Sequence, residues 1–170
     1  MKHAVKILLV VVLMLSATTA FSFELGGSLG YNLLLDDMDG GGLPAIETRI
    51  TFGDPADSIR FGAMISYLPI FDYELNAGSF SMSINTSSLS FMGFGKLSIS
   101  ETPLYATAGA GLHMYMGDGS GSDLGIMIGA GFETPIAENM TLDIGARFHM
   151  ILASSSVNML TILGGINYKL

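Results

Sequence analysis

Two histidines and a short run of serines are the residues that offer nucleophilic chemistry. His113 and His149 are the only histidines after residue 22, and Ser154 to Ser156 follow His149 closely. A histidine that takes a proton from a serine hydroxyl forms the core of acyl-transfer sites, but such sites are defined by geometry and not by spacing alone. We therefore expect these histidines to form hydrogen bonds inside the fold, and we predict no catalytic residue.

Two acidic, glycine-rich segments offer oxygen ligands for a cation. They are DDMDGGG at residues 36–42 and DGSGSD at residues 118–123. Ca²⁺ binds carboxylate and carbonyl oxygens in flexible loops, yet neither segment has EF-hand spacing. We expect solvated acidic loops that bind a divalent cation weakly at most, with no dedicated metal site and no cofactor.

The N-terminal segment predicts export. Lys2 and Lys6 precede an apolar run from Ile7 to Leu15, and small residues follow, which is typical of a signal peptide. We predict a signal peptide at 1–22 and one domain at 23–170. Five basic and fifteen acidic residues then remain, a net charge of −10. That balance argues against nucleic-acid binding, which needs clustered Lys and Arg, and the absence of Cys excludes disulfides.

Apolar residues after Ser22 recur with a period of two, which predicts β-strands. Eight such stretches can be drawn, the last ending in ILGGINYKL, with alternating long and short connections; the longest connection is predicted at residues 69–86. Nine charged residues fall within these stretches, all on the less apolar parity. With His149 added and Lys169 left at the strand end, the predicted inner polar network is Glu24, Glu47, Arg49, Arg60, Lys96, Glu133, Asp143, Arg147 and His149.

The apolar face either packs in a soluble core or faces lipid. The opposite parity consists mostly of Gly, Ser, Ala and Thr with a few charges, whereas a soluble surface carries roughly 25–35% charged residues. The lumen of an eight-stranded barrel is only wide enough for side chains to fill it. We therefore predict an all-β fold, an eight-stranded antiparallel up-and-down transmembrane β-barrel with its apolar face toward lipid.

Longer stretches of the chain resemble a known family. FELGGSLGYN, PLYATAGAGLHMY, GAGFETPIAENMTLDIGARFHM and the final LGGINYKL resemble the small outer-membrane β-barrels of OmpA/OmpX type, from Phe23 to Leu170. The resemblance implies short periplasmic turns near residues 54–58, 100–103 and 134–139, and outer loops near residues 36–44, 69–86, 117–123 and 153–157. The acidic residues of these outer loops are Asp36, Asp37, Asp39, Asp72, Glu74, Asp118 and Asp123.

The resemblance also implies location and partners. We expect a monomer in the outer membrane that contacts outer-membrane lipid and the outer-membrane assembly machinery. Members of the family end on an aromatic residue that this machinery reads; Leu170 departs from that pattern, so we expect less efficient recognition. We predict a non-enzymatic protein with a filled polar lumen and a structural or surface-interaction role. The alternatives are a soluble periplasmic, lipocalin-like barrel that binds an apolar ligand and a lipid-A-modifying barrel enzyme.

Overall fold

The computed structural model describes residues 22–35, 43–54, 57–77, 80–117, 121–153 and 157–170, without the side chains of residues 71–85. The predicted signal peptide, apart from Ser22, therefore lies outside the described residues. Within the described ranges, no helix has the length and hydropathy needed to cross a membrane.

Eight strands form one closed antiparallel sheet. Each strand pairs with its neighbours in the sequence, and β1 pairs with β8 to close the barrel. The predicted all-β, eight-stranded up-and-down barrel is confirmed. The strands are β1 (Phe23–Leu34), β2 (Leu43–Phe52), β3 (Ile59–Ala77), β4 (Phe80–Ser98), β5 (Leu104–Gly117), β6 (Gly121–Ala137), β7 (Met140–Ile151) and β8 (Val157–Lys169).

The two ends of the barrel differ in their connections. At the end that carries the chain termini, here called the terminal end, the strands are joined through residues 53–58, 99–103 and 138–139. At the other end, here called the loop end, the connecting residues are 35–42, 78–79, 118–120 and 152–156. The predicted alternation of long and short connections is not observed, because the loop end includes connections of two and three residues (78–79 and 118–120) and the terminal end includes connections of six and five residues (53–58 and 99–103).

The apolar parity of each strand faces outward. Leu29 is 66% exposed and Ile128 is 60% exposed, whereas Glu47 and Arg60 are each 2% exposed. Because successive side chains of a strand point to opposite faces, the observed register places the apolar parity outward and the charged residues of the predicted network inward. The interior is therefore polar at the terminal end, which is the reverse of the apolar cavity that a soluble ligand-binding barrel requires.

The prediction of a long connection at residues 69–86 is wrong. β3 and β4 continue through it as one hairpin, with pairs from Pro69↔Ser87 to Ala77↔Phe80 and a register shift between Pro69 and Phe71. β2 pairs with β3 only as far as Tyr67. Beyond that point the hairpin projects past β2. Its segments FDYELN (residues 71–76) and FSMSIN (residues 80–85) alternate between apolar and polar residues, which is typical of a strand, but they are rich in polar residues and were predicted as a connection.

Other predicted loop positions also lie in strands. Asp72 and Glu74 belong to β3, and Asp123 belongs to β6, in register with His113. Residues 134–137, predicted as part of a short turn, extend β6. Pro135 lies at a second register shift, where the ladder tolerates a residue without an N–H. Of the other acidic positions, Asp36, Asp37, Asp39 and Asp118 lie outside the described residues.

The outward apolar band leads to a prediction about Ile128, near the middle of β6. Because the sequence predicts lipid against this band, Ile128→Arg should reduce folding into lipid vesicles by about 2–4 kcal/mol. Ile136→Arg, also exposed on β6 but next to the strand end, should cost about 0–1 kcal/mol. The measurement is the folded fraction after urea titration in vesicles. Equal costs at the two positions would contradict a lipid-facing band.

Candidate functional site

The barrel interior contains the nine residues of the predicted polar network. Eight of them are 7% exposed or less, and the side chain of Glu133 is 15% exposed. They come from six strands, which the closed sheet brings together at a common axis. The interior is therefore the candidate functional site of the described chain.

The first half of the charged interior is a run of ion pairs near the terminal end. Arg60 donates from Nη1 to Oε2 of Glu24 and from Nη2 to Oε2 of Glu133, both at 2.8 Å. Lys96 donates from Nζ to the same Glu133 oxygen, also at 2.8 Å. One carboxylate thus binds two cations from different strands.

The second half continues from Lys96 without a break. Its Nζ lies 3.6 Å from Oδ2 of Asp143, which accepts a 2.6 Å hydrogen bond from Nη2 of Arg49. Arg49 then donates from Nη1 to Oε1 of Glu47 at 3.1 Å, and Oε2 of Glu47 accepts from Nη1 of Arg147. The charges alternate in sign along the whole ion-pair chain, in the order Glu24, Arg60, Glu133, Lys96, Asp143, Arg49, Glu47 and Arg147.

These ion pairs join opposite walls of the barrel. Along the sheet, like charges are direct neighbours: Arg60 pairs in register with Lys96, and Glu133 with Asp143. Like charges in that position destabilise a sheet. The attractive contacts run across the lumen instead, because every ion pair in the chain except Glu47–Arg49 links strands that are not adjacent. The charged residues therefore stabilise the closed barrel and not the separate hairpins.

Two neutral residues missing from the predicted network complete it. Asn167 accepts from Arg49 at 3.1 and 2.8 Å through Oδ1 and donates to Glu133 at 2.8 Å through Nδ2. Tyr105 donates its hydroxyl to Oδ1 of Asp143 at 2.7 Å, and Nζ of Lys96 lies 4.0 Å from the centroid of its ring. Their inner parity in β8 and β5 was the available signal, but the predicted network contained only charged residues and His149.

Inward-facing glycines provide the space for the large polar side chains. A Cβ at Gly26 would lie 2.9 Å from both Cγ and Nε of Arg49 and would also contact Asn167. A Cβ at Gly131 would overlap the Tyr105 ring, and one at Gly129 would lie 3.0 Å from Cγ of Arg147. Close-packed interiors do not accommodate such overlaps without shifts. The frequent glycines of the inner parity therefore match the bulky groups beside them.

Toward the loop end, the interior becomes apolar. Met64, Met92, Phe94 and Met127 form one buried cluster next to the ion-pair chain. A second cluster lies nearer the loop end and consists of Ala45, Leu68, Ile70, Ile151, Met159 and Leu163. The sequence pattern did not predict these clusters, because inward apolar residues such as Met92 and Phe94 weaken the alternation by which the faces were assigned.

The two histidines lie together in the interior. Their ring centroids are 6.0 Å apart with perpendicular planes, and Nδ1 of His113 lies 3.1 Å from Oγ of Ser88. His113 is 0% and His149 1% exposed. The sequence predicts both histidines on the inner parity, although the predicted polar network included only His149. Ser154 to Ser156 lie outside the described residues. The Ser88–His113 pair is buried, so a substrate cannot reach it in this conformation.

The fold is that of a small eight-stranded outer-membrane β-barrel, which confirms the predicted resemblance at the level of fold. The chain is similar to Neisserial surface protein A, with 16% identity and a TM-score of 0.57 over 88% of this chain and 97% of that one. It is also similar to the Yersinia pestis outer membrane protein Ail in a phospholipid bilayer nanodisc, with 16% identity and a TM-score of 0.54 over 86% of this chain and 99% of that one. The outer membrane protein OprG from Pseudomonas aeruginosa is similar as well, with 13% identity and a TM-score of 0.51 over 88% of this chain and 95% of that one. No family model and no curated protein matches the sequence.

Because Arg49 lies within the ion-pair chain, replacing it should strongly lower the stability of the barrel. Arg49→Met leaves Glu47 and Asp143 without a shared cation, and breaking a buried pair from one side costs about 3–5 kcal/mol. The measurement is urea unfolding in detergent micelles, followed by far-ultraviolet circular dichroism. Removing both charges with Arg49→Met and Asp143→Leu together should cost less than the sum of the single losses.

Lys169→Met provides the matched control for Arg49→Met. Nζ of Lys169 lies 3.7 Å from Asp54, and both side chains are more than a third exposed. Exposed pairs contribute less than about 1 kcal/mol. If Lys169→Met and Arg49→Met cost the same, the interior ion pairs would have no special role in stability.

Two consecutive glycines should respond in opposite ways to substitution by alanine. Gly26→Ala places a methyl group against Arg49 and Asn167 and should destabilise the barrel by about 1–3 kcal/mol. Gly27→Ala points outward, where an added Cβ meets nothing within 4 Å, and should be neutral or slightly stabilising. The same unfolding measurement compares them. A larger loss at Gly27 than at Gly26 would reverse the assignment of inside and outside.

Proposed function

We propose that this chain is a non-enzymatic barrel protein of the bacterial outer membrane, with a structural and surface-interaction role in the cell envelope. The observation that carries the proposal is the combination of an outward apolar face with an interior crossed by the ion-pair chain. Ionised groups remain in such an interior because each has a partner of opposite sign, and the exposed apolar face requires a lipid environment.

A role as an open channel is disfavoured by the contents of the lumen. The ion-pair chain spans the interior at the terminal end, and two apolar clusters follow it toward the loop end. Water-filled conduction needs a continuous polar path, which side chains obstruct in a barrel of this size. We infer that the interior is filled and that function lies at the exposed surfaces.

The loop end supplies a candidate surface for interaction. Residues 36–44, 69–86, 117–123 and 153–157 contain seven acidic residues and no Lys or Arg. Such a surface attracts cations and basic partners and repels polyanions. We propose that the surface partner carries positive charge and that divalent cations bind there weakly. Outer-membrane lipid and the assembly machinery are the other expected partners of a monomeric barrel.

Two measurements together test the proposal. Reconstituted in planar lipid bilayers, the protein should produce no steady channel conductance, because the interior is packed. In cells, the protein should fractionate with the outer membrane and should change gel mobility on heating, as folded barrels do. A stable conductance would contradict the filled lumen, and release by osmotic shock without detergent would contradict the membrane location.

Charge replacement tests the surface role separately. Asp36→Asn, Asp37→Asn and Asp39→Asn combined should weaken adsorption of a basic polypeptide, such as polylysine, to vesicles containing the protein. The effect should disappear at high salt, because exposed charges are screened. A control that replaces Glu101, an exposed residue of a terminal-end turn, should change nothing when the loop end faces the added polypeptide. Equal adsorption by all variants would contradict an acidic recognition surface.

A further inference from the structure

The lumen contains a cavity at the terminal end, here called the terminal cavity. Its volume is about 200 Å³, which is smaller than the roughly 300–1,000 Å³ of sites for drug-sized molecules. Residues of six strands line it, and they include the first members of the ion-pair chain, Glu24, Arg60 and Glu133. The terminal cavity therefore offers room for one small ring above a charged floor.

The charges of this floor are already paired with one another. Arg60 lies 2.8 Å from both Glu24 and Glu133, and Lys96 lies 2.8 Å from Glu133. The side chains of Arg60 and Glu24 are only 2% and 5% exposed. Two acids and two bases sum to zero, so an anion would compete with the carboxylates for Arg60, and a cation would compete with Arg60 for the carboxylates. The floor therefore favours a neutral ligand.

Polar atoms that line the terminal cavity have unused hydrogen-bonding capacity. Within the described residues, Oγ of Ser98, Oγ1 of Thr141 and Oε1 of Glu24 make no hydrogen bond. Nε of Arg60 is buried in the floor and also has no partner there. A hydroxyl group donates and accepts, whereas a carboxylate oxygen only accepts. A ligand with several hydroxyl groups matches this combination, because each of its O–H groups donates to one partner and accepts from another.

Two prolines supply apolar atoms to the same lining. Pro103 precedes β5, and Pro135 lies in β6 at the register shift. The backbone N–H of Glu133 donates to the carbonyl of Pro103 at 2.8 Å, which joins the turn before β5 to β6. Small-molecule sites combine apolar walls with a few placed polar groups. A sugar ring has the complementary character, with hydroxyl groups at its edge and C–H groups on its faces.

We propose that the terminal cavity binds a neutral polyhydroxylated ligand of the size of one sugar ring. The carboxylate of Glu24 accepts hydrogen bonds from the ligand, and the hydroxyls of Ser98 and Thr141 exchange hydrogen bonds with it. Hydrogen bonds to an ionised acceptor are stronger than neutral ones. The ion pairs beneath the ligand keep it at the barrel end, so binding does not require an open lumen. The ring is either a free sugar or the end of a glycan chain.

The test compares three sugars that share one ring and differ in charge. Glucose, glucosamine in its ammonium form and glucuronate are titrated against the folded protein by saturation-transfer NMR, in a detergent without a sugar head group. Glucose should bind with a Kd on the order of 1 mM, as expected for about twelve non-hydrogen atoms. It should bind about 10-fold more tightly than either charged sugar, because each of these places an unpaired charge at a neutral floor.

A glucose oligomer in the same assay distinguishes the two sources of the ring. Binding of the oligomer as tight as that of glucose identifies the end of a glycan chain, and exclusion of the oligomer identifies a free sugar. No saturable binding of glucose, tighter binding of a charged sugar, or binding of acetamide in place of glucose would overturn the proposal.

Variants place the ligand in the terminal cavity. Thr141→Val and Ser98→Ala should each raise the Kd for glucose about 3–10-fold, because each removes one hydrogen bond and leaves the ion-pair chain intact. Thr48→Val, at an exposed position on the outer face of β2, is the matched control and should leave the Kd unchanged. The gel mobility of unheated samples confirms that each variant folds. Full affinity in both cavity variants, or an equal loss in Thr48→Val, would overturn the assignment of the site.

Discussion

Electrostatic attraction across the lumen is the interaction on which the rest of the interior depends. The in-register neighbours Arg60 and Lys96 repel each other, and so do Glu133 and Asp143. These four charges become favourable only when β3 and β4 face β6 and β7 across a closed barrel. The burial of each charge outside such a network would cost several kcal/mol. Closure of the β1–β8 seam and formation of the ion-pair chain are therefore coupled events, and a half-formed sheet gains little from either.

The same constraint explains how much of the fold could be predicted from the sequence. A charged group that faces lipid is costly, so the period of two in hydrophobicity carries most of the information, and it located the eight strands and the inner charges. It did not identify the extension of the β3–β4 hairpin beyond Tyr67. Residues 71–76 and 80–85 also alternate between apolar and polar residues, but the segment is rich in polar residues, and residues 69–86 were therefore predicted as a connection.

The partners within the interior could not be predicted in the same way. Parity places Glu47 and Arg147 on the inner face, but their contact depends on the stagger of β2 against β7, which no local pattern contains. Asn167 and Tyr105 were missed because a neutral donor or acceptor in a strand is also compatible with many other roles. The glycines were read as packing residues, and only the structure shows which large group each one accommodates.

The interior is divided along its axis, and this division separates two physical roles. At the terminal end, side chains hold the barrel through ion pairs whose charges sum to zero. Nearer the loop end, methionines and aliphatic residues exclude water, so any polar group placed among them must find its partner locally. His113 and His149 lie where these two regions meet, with Arg147 on the same face of β7 as His149 and with Ser88 in contact with His113. Histidines in such a layer are costly as simple packing residues, since leucine or methionine would fill the same volume without unpaired nitrogens. Each ring therefore depends on polar side chains nearby, as Nδ1 of His113 does on Oγ of Ser88 at 3.1 Å.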